Sequence, residues 1–144
     1  MIYRFYLEEG PNWRGAEVKP LHPVEGPDHL CDFLSSEVST GLGRLVDEDS
    51  WDNFIYSVLE NPVGKKETGV GNAYMLHSED GDIIITCVFE RPEKNSLRIK
   101  PWELLKAMSI WREYLWAVRR GRTEPLDVEI RDEGIESYPE LYFG

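Results

Sequence analysis

The chain has 144 residues, 16 of them basic and 27 acidic, and its formal net charge at pH 7 is −11. Hydrophobic residues make up 41% of the sequence and aromatic residues 12%, enough for one core, which excludes global disorder. This is the size of one domain, so we expect residues 1–144 to form a single domain. The charge repels nucleic acids and anionic membranes and attracts basic partners, although acidity also serves solubility alone.

The chain start and the two cysteines predict a cytoplasmic protein. Residues 1–7 alternate in polarity and soon reach Glu8 and Glu9, which is unlike the basic region and long apolar run of a signal peptide. No segment approaches the length of a membrane span. Cys31 and Cys87 each lie in an apolar stretch, which favours buried thiols in a reducing compartment over a disulfide.

The first quarter of the chain predicts a strand, a connection and a helix. Residues 1–7 alternate as a strand does, and Gly10-Pro11 ends it. Prolines make residues 11–27 an irregular connection, with a short strand near residues 16–18. Apolar residues at helical spacing then predict a helix over residues 28–38, which Asp28 can cap.

The next predicted element is a helix over residues 50–60, after a break at Thr40–Gly43. Ser50 is its predicted N-cap, and the acids before it suit the positive end of a helix. Asn61-Pro62 ends this helix, and a polar loop is expected over residues 62–71.

A β-meander is predicted in the middle of the chain. Strands over residues 72–78 and 82–90 are joined by a turn that contains Asp80-Gly81, a strong hairpin signal. The run Ile83–Phe89 is apolar on both faces and predicts a central strand. A short third strand is expected over residues 96–100.

The longest predicted helix runs over residues 101–120, with Pro101 at its first position and Gly121 just beyond its end. Its broad apolar stripe should lie across the sheet. Alternation predicts a last strand over residues 126–130, and residues 132–144 are expected to be an acidic, aromatic tail. The predicted class is α+β, with one antiparallel sheet, a meander plus N- and C-terminal strands, packed against the long C-terminal helix and two shorter helices.

The charges divide unevenly along the sequence. Residues 91–122 hold nine basic and three acidic residues, net +6, and the rest of the chain holds 7 basic and 24 acidic residues, net −17. An electrically bipolar molecule is expected if the fold does not interleave the two sets. Cations at residues 119–122 are first of all the complement of a helix C-terminus.

Several residues are candidates for a metal site or a catalytic pair, but their patterns do not support either. His22, His29 and Cys31 match no zinc-site spacing, and Asp80-Gly81-Asp82 lacks the remaining ligands of a calcium loop. His77 and Cys87 on neighbouring strands form a conceivable base–nucleophile pair, but a Cys in an Ile-rich strand is more often core. We therefore predict no catalytic residue, no metal, no cofactor and no enzymatic activity.

Two acidic groups are the predicted partner-binding residues. Each also has a plain structural explanation, as a solvated helix start and as a hairpin turn. The aromatic residues of the long helix are expected mainly in the core, with one ring left exposed as an interface anchor. The acidic groups are Asp47, Glu48, Asp49 and Asp52 in the first, and Glu79, Asp80 and Asp82 in the second.

The second half of the chain carries a family resemblance. Its segments Gly71–Tyr74, Asp82–Ile85, Leu97–Ile99, Leu104–Ala107 and Trp111–Leu115 resemble small bacterial immunity proteins. These are the cytoplasmic antidotes of polymorphic toxin and contact-dependent growth inhibition systems. The resemblance covers about residues 70–118 and assigns no individual binding residue.

The resemblance implies a stable, non-catalytic protein that binds and neutralises one cognate toxin domain. Many such toxins are nucleases with basic clefts, which an acidic inhibitor can occupy quickly through charge complementarity. The alternative is a small regulatory or adaptor protein that acts by protein binding or as a homodimer through its exposed aromatic residues. Neither function involves nucleic acid or a membrane.

Overall fold

The computed structural model describes residues 1–22, 28–38, 46–64, 67–68, 74–88, 95–131 and 134–137, with the backbone alone at residues 13, 46–50, 95 and 134–137. The strands are β1 (Ile2–Gly10), β2 (Trp13–Pro20), β3 (Tyr74–Glu79), β4 (Asp82–Cys87), β5 (Asn95–Ile99), β6 (Leu126–Glu129) and β7 (Gly134–Ser137). The helices are α1 (His29–Phe33), which continues as a π-helical turn (Leu34–Val38), α2 (Val46–Glu60) and α3 (Pro101–Arg119).

The α+β class is confirmed, but the described strands form two antiparallel sheets where one was predicted. One sheet has the order β2-β1-β6, and the other has the order β3-β4-β5-β7. The terminal strand β1 pairs with its own hairpin partner and with β6, so it does not join the meander. The meander is extended instead by β7, which pairs with β5.

Two predicted irregular segments contain strands. β2 pairs with β1 from Tyr3 opposite Pro20 to Gly10 opposite Trp13. The predicted strand near residues 16–18 is therefore confirmed, but it is longer than predicted, and the prediction of an irregular connection is wrong over the rest of residues 13–20. Prolines misled that prediction, although Pro20 ends the strand, where a missing N–H is tolerated. The predicted tail is also wrong in part, because residues 134–137 form β7; residues 23–27 and 138–144 lie outside the described part.

Of the N-caps predicted for the first two helices, one is confirmed and the other is wrong. The Asp28 carboxylate accepts a hydrogen bond of 2.9 Å from the Cys31 backbone N–H, so this N-cap is confirmed. The second helix begins at Val46, so the prediction of Ser50 as its N-cap is wrong. The predicted break at Thr40–Gly43 lies outside the described residues.

The hairpin between β3 and β4 is confirmed in its turn and its burial. Asp80 and Gly81 have φ angles of 53° and 83°, the left-handed pair that a two-residue hairpin turn requires. β4 lies between β3 and β5, and Ile83, Ile84 and Ile85 are fully buried. The apolar run therefore forms a central strand, while the predicted strand ends at residues 72–73 and 89–90 lie outside the described part.

Helix α3 packs against β1, and its boundaries are confirmed. Pro101 is its first residue, and Gly121 follows its C-cap with a φ of 106°. The Phe5 ring on β1 meets the Trp111 ring edge-on at 5.2 Å, and Tyr114 stacks beside Trp111. These buried rings join the helix to the β2-β1-β6 sheet.

Candidate protein-binding surface

The predicted acidic residues of the β3–β4 hairpin are held by cations from the far side of β4. Arg98 donates to the carboxylates of Asp82 at 3.0 Å and Glu79 at 3.3 Å. Lys100 donates to the other Asp82 oxygen at 2.7 Å. Because Ile84 pairs with Arg98, this network clamps the hairpin to β5. Asp82 and Glu79 thus have a structural role in the hairpin.

The protonation of Asp82 reflects that network. Burial alone would raise the pKa of this carboxyl, but hydrogen bonds from Lys100 and Arg98 outweigh it and lower the pKa below the usual 3.8. Asp82 therefore stays ionised at neutral pH although it is 8% exposed. A partner would have to break these bonds to reach it.

Asp80 is the hairpin residue that faces solvent. It is exposed at the apex of the turn, beside Gly81, whose missing Cβ would lie 3.3 Å from the Pro62 side chain. The turn is thus packed against the segment that follows α2. A carboxylate at the apex of such a clamped turn loses little conformational freedom on binding.

The second predicted acidic group lies on α2. Asp52 accepts two hydrogen bonds from the Arg112 guanidinium on α3, at 2.8 and 3.0 Å. Asp47, Glu48 and Asp49 lie in the first turn of α2, where their backbone is described. The structure therefore separates this group into one carboxylate held by α3 and three acidic positions at the end of a helix.

The expected bipolar charge distribution is wrong for three cations. Arg98, Lys100 and Arg112 belong to the basic segment, yet each pairs with an acid from outside that segment. The fold thus interleaves the two sets of charges there, with Asp82 between two strands and Asp52 between two helices. Sequence reasoning missed these pairs, because no local pattern links residues that are 16, 18 and 60 positions apart.

The solvent face of α3 carries two large aromatic residues. Trp111 and Tyr114 are buried, as expected for most of these rings, but Trp102 is 66% and Trp116 46% exposed. Two exposed rings are present where one was expected. Their fourteen-residue spacing is close to four helical turns and was the signal in the sequence that would have placed both on one face.

A shallow groove runs beside this face, between α2 and α3. It encloses about 330 Å³ and is lined by Asp52, Tyr56, Trp102, Leu105, Lys106, Ser109 and Arg112. Tyr56 is 49% exposed, so an aromatic residue from each helix borders the groove. A wider depression of about 600 Å³ lies beside Trp116. Both depressions are open to solvent.

The candidate catalytic residues His77 and Cys87 do not face each other. His77 is opposite Ile84 and Cys87 is opposite Tyr74, so strand alternation puts the two side chains on opposite faces of the hairpin. Neither Cys31 nor Cys87 forms a disulfide, and Cys31 is buried. In the part of the chain that the structure describes, no three His, Cys, Asp or Glu side chains cluster to hold a metal. No described helix combines the length and the apolar character of a membrane span.

Comparison with known proteins gave no match. No family model, no curated protein and no solved structure matched this chain.

Proposed function

We propose that this chain is an immunity-type inhibitor, which binds and neutralises a cognate toxin domain in the cytoplasm. The observation that carries the proposal is the clamped hairpin, which presents Asp80 at a tight apex above the Arg98–Asp82–Lys100 network. In this proposal the protein works by occupying a surface and catalyses nothing.

The charge of the chain supports a basic target. A net charge of −11 accelerates encounter with a cationic cleft, and a nuclease toxin has such a cleft because it must hold phosphates. The first turn of α2 adds three acidic positions, residues 47–49, to the surface that we assign to the partner. Asp82, Glu79 and Asp52 support this surface through their ion pairs.

The test begins with capture of the partner. The tagged protein is incubated with lysate of its native host and washed at low and then at high salt. We expect one toxin domain to remain bound, and the purified protein to abolish the activity of that domain at equimolar ratio. Recovery of a bound protein that is not inhibited, or of no partner, would contradict the inhibitor proposal.

A matched pair of variants then tests the hairpin. Asp80→Asn removes one charge and keeps a residue that tolerates a positive φ, and Glu124→Gln removes one charge from an exposed loop. At low salt Asp80→Asn should slow association with the toxin by about 2- to 5-fold, and Glu124→Gln should change it much less. Equal rates for the two variants would remove the hairpin from the binding site.

Self-association is the second candidate function, and the exposure of Trp102 and Trp116 favours it. A regulatory or adaptor protein that pairs with itself should elute earlier in gel filtration as its concentration rises. A toxin inhibitor needs no such behaviour, so the two functions have separate readouts.

A further inference from the structure

The exposed face of α3 has a pattern that is complementary to itself. Six residues lie along it, at spacings of three or four: Trp102, Lys106, Ser109, Glu113, Trp116 and Arg120. Pairing two copies antiparallel about a two-fold axis at the level of residue 111 places position 102 opposite 120, 106 opposite 116, and 109 opposite 113. Each tryptophan then meets a cation, and each serine meets a carboxylate.

We propose that a second copy of this chain binds here, and that α3 pairs with α3 of the other copy in an antiparallel homodimer. Trp102 lies against Arg120 of the second copy, and Trp116 lies against its Lys106, which are favourable cation–π contacts. Ser109 donates a hydrogen bond to Glu113 across the axis. This inference specifies the surface for self-association and does not depend on the inhibitor proposal.

The side chains on this face are already placed for such contacts. Arg119 covers one face of the Trp116 ring, with its guanidinium 5.4 Å from the ring centroid, which leaves the other face for a partner. Lys106 donates to the Glu129 carbonyl at 2.7 Å and remains 45% exposed. The side chains of Trp116 and Lys106 therefore have a defined position before the second copy binds.

The orientation follows from charge. In a parallel pair each residue would oppose its own copy, so Lys106 would face Lys106 and Glu113 would face Glu113. The antiparallel pair avoids both repulsions and also aligns the two helix dipoles favourably. A crossing angle of about 20° keeps contact along the roughly 21 Å of axis between the two tryptophans.

The exposed aromatic area fits a moderate interface. Taking about 250 Å² for a whole indole side chain, Trp102 and Trp116 expose roughly 280 Å² per copy. Two copies would bury about a third of a standard interface of roughly 1,600 Å² from these rings alone. We therefore expect a dissociation constant on the order of 10 µM. Added salt should not raise this constant, since salt screens the repulsion between two acidic chains.

The first experiment is sedimentation equilibrium across protein concentrations, at low and high salt. The wild type should form a dimer, and Trp102→Ala with Trp116→Ala should raise its dissociation constant by about 30-fold or more. Ile2→Ala is the control, because Ile2 is a 39% exposed apolar residue on β1, outside this face. Circular dichroism of the double variant should match the wild type, since both rings are exposed.

The second experiment tests the register in the Cys87→Ser background. Ser109→Cys and Glu113→Cys proteins are mixed and mildly oxidised, and buried Cys31 stays unreactive. Cross-links between positions 109 and 113 should dominate over cross-links between identical positions. A monomer at all concentrations up to about 1 mM, a dimer that the double tryptophan variant does not weaken, or cross-links mainly between identical positions would each overturn the inference.

Discussion

The guanidinium of Arg112 donates two hydrogen bonds to the carboxylate of Asp52, with N–O distances of 2.8 and 3.0 Å. This bidentate pair joins α3 to α2 beside the groove bordered by Trp102 and Tyr56. Both side chains are about four-fifths shielded, so solvent and salt screen the pair less than a pair on an open surface. The pair therefore fixes the relative position of two helices and neutralises a carboxylate predicted to bind a partner.

Arg112→Lys should lower the free energy of unfolding by about 1–2 kcal/mol, because one ammonium cannot reproduce two parallel N–H···O bonds in this partly buried place. Urea unfolding at neutral pH measures the loss. Arg4→Lys is the matched control, since Arg4 also donates two hydrogen bonds to one carboxylate, from Nε and Nη2 to Asp127, but at an exposed site where a smaller effect is expected. Equal losses for the two variants would contradict this assignment.

Asp82 should make stability depend on acid. Its folded-state pKa is lowered, so its contribution is complete above the unfolded pKa near 3.8 and is lost as pH falls through the still lower folded value. Asp82→Asn should cost about 2 kcal/mol at pH 7, and the difference from wild type should shrink towards about pH 2.

The control for the pH dependence of stability is Asp127→Asn. The hydrogen bond from Arg4 also lowers the pKa of Asp127, but this carboxylate is exposed and its attraction to Arg4 is screened by salt. At about 0.5 M salt the acid dependence that Asp82 causes should persist, while any that Asp127 causes should disappear. An unchanged pH profile in Asp82→Asn would refute the role given to the hairpin network.

The sequence predicted elements whose signals are local. The turn at Asp80-Gly81 and the start of α3 at Pro101 depend on backbone geometry that one or two residues determine. The sequence did not predict β7, because its four residues have no clear strand pattern of their own. The strand is defined by its pairing with β5, in which Leu97 lies opposite Ile135. Strand pairing of this kind depends on contacts distant in sequence, which polarity patterns do not report.

The sequence could not predict the accessibility of the candidate site residues, for a related reason. Acidity alone singled out Asp82 and Asp80 equally, although one is buried between Arg98 and Lys100 and the other is exposed. Only the strand register brings Arg98 beside the hairpin. The sequence therefore shows which residues are charged, but the fold decides which of those charges face solvent.

Trp111→Phe should lower the free energy of unfolding only slightly, although Trp111 is a large buried residue. The Trp111 indole N–H is buried with no hydrogen-bond partner, so its removal recovers a desolvation penalty of about 1–3 kcal/mol that offsets the lost packing. We expect a net loss of about 1 kcal/mol in urea unfolding. Phe5→Ala, which empties the space against the same ring and removes no polar group, should cost about 3–5 kcal/mol. Similar losses for the two variants would contradict the offset.

Gly81→Ala should destabilise the protein through the hairpin turn. The φ of 83° is strained for any residue with a Cβ, and the new methyl group would lie 3.3 Å from the Pro62 side chain. We expect a loss of about 1–2 kcal/mol in the free energy of unfolding. If the inhibitor proposal holds, association with the toxin should also be slower, because Asp80 is displaced. Gly15→Ala on β2 is the matched control, since its Cβ would meet nothing within 4 Å and its φ is not positive. A Gly81→Ala protein as stable as Gly15→Ala would show that the turn is not held in this conformation, and would remove the rigid apex from the binding argument.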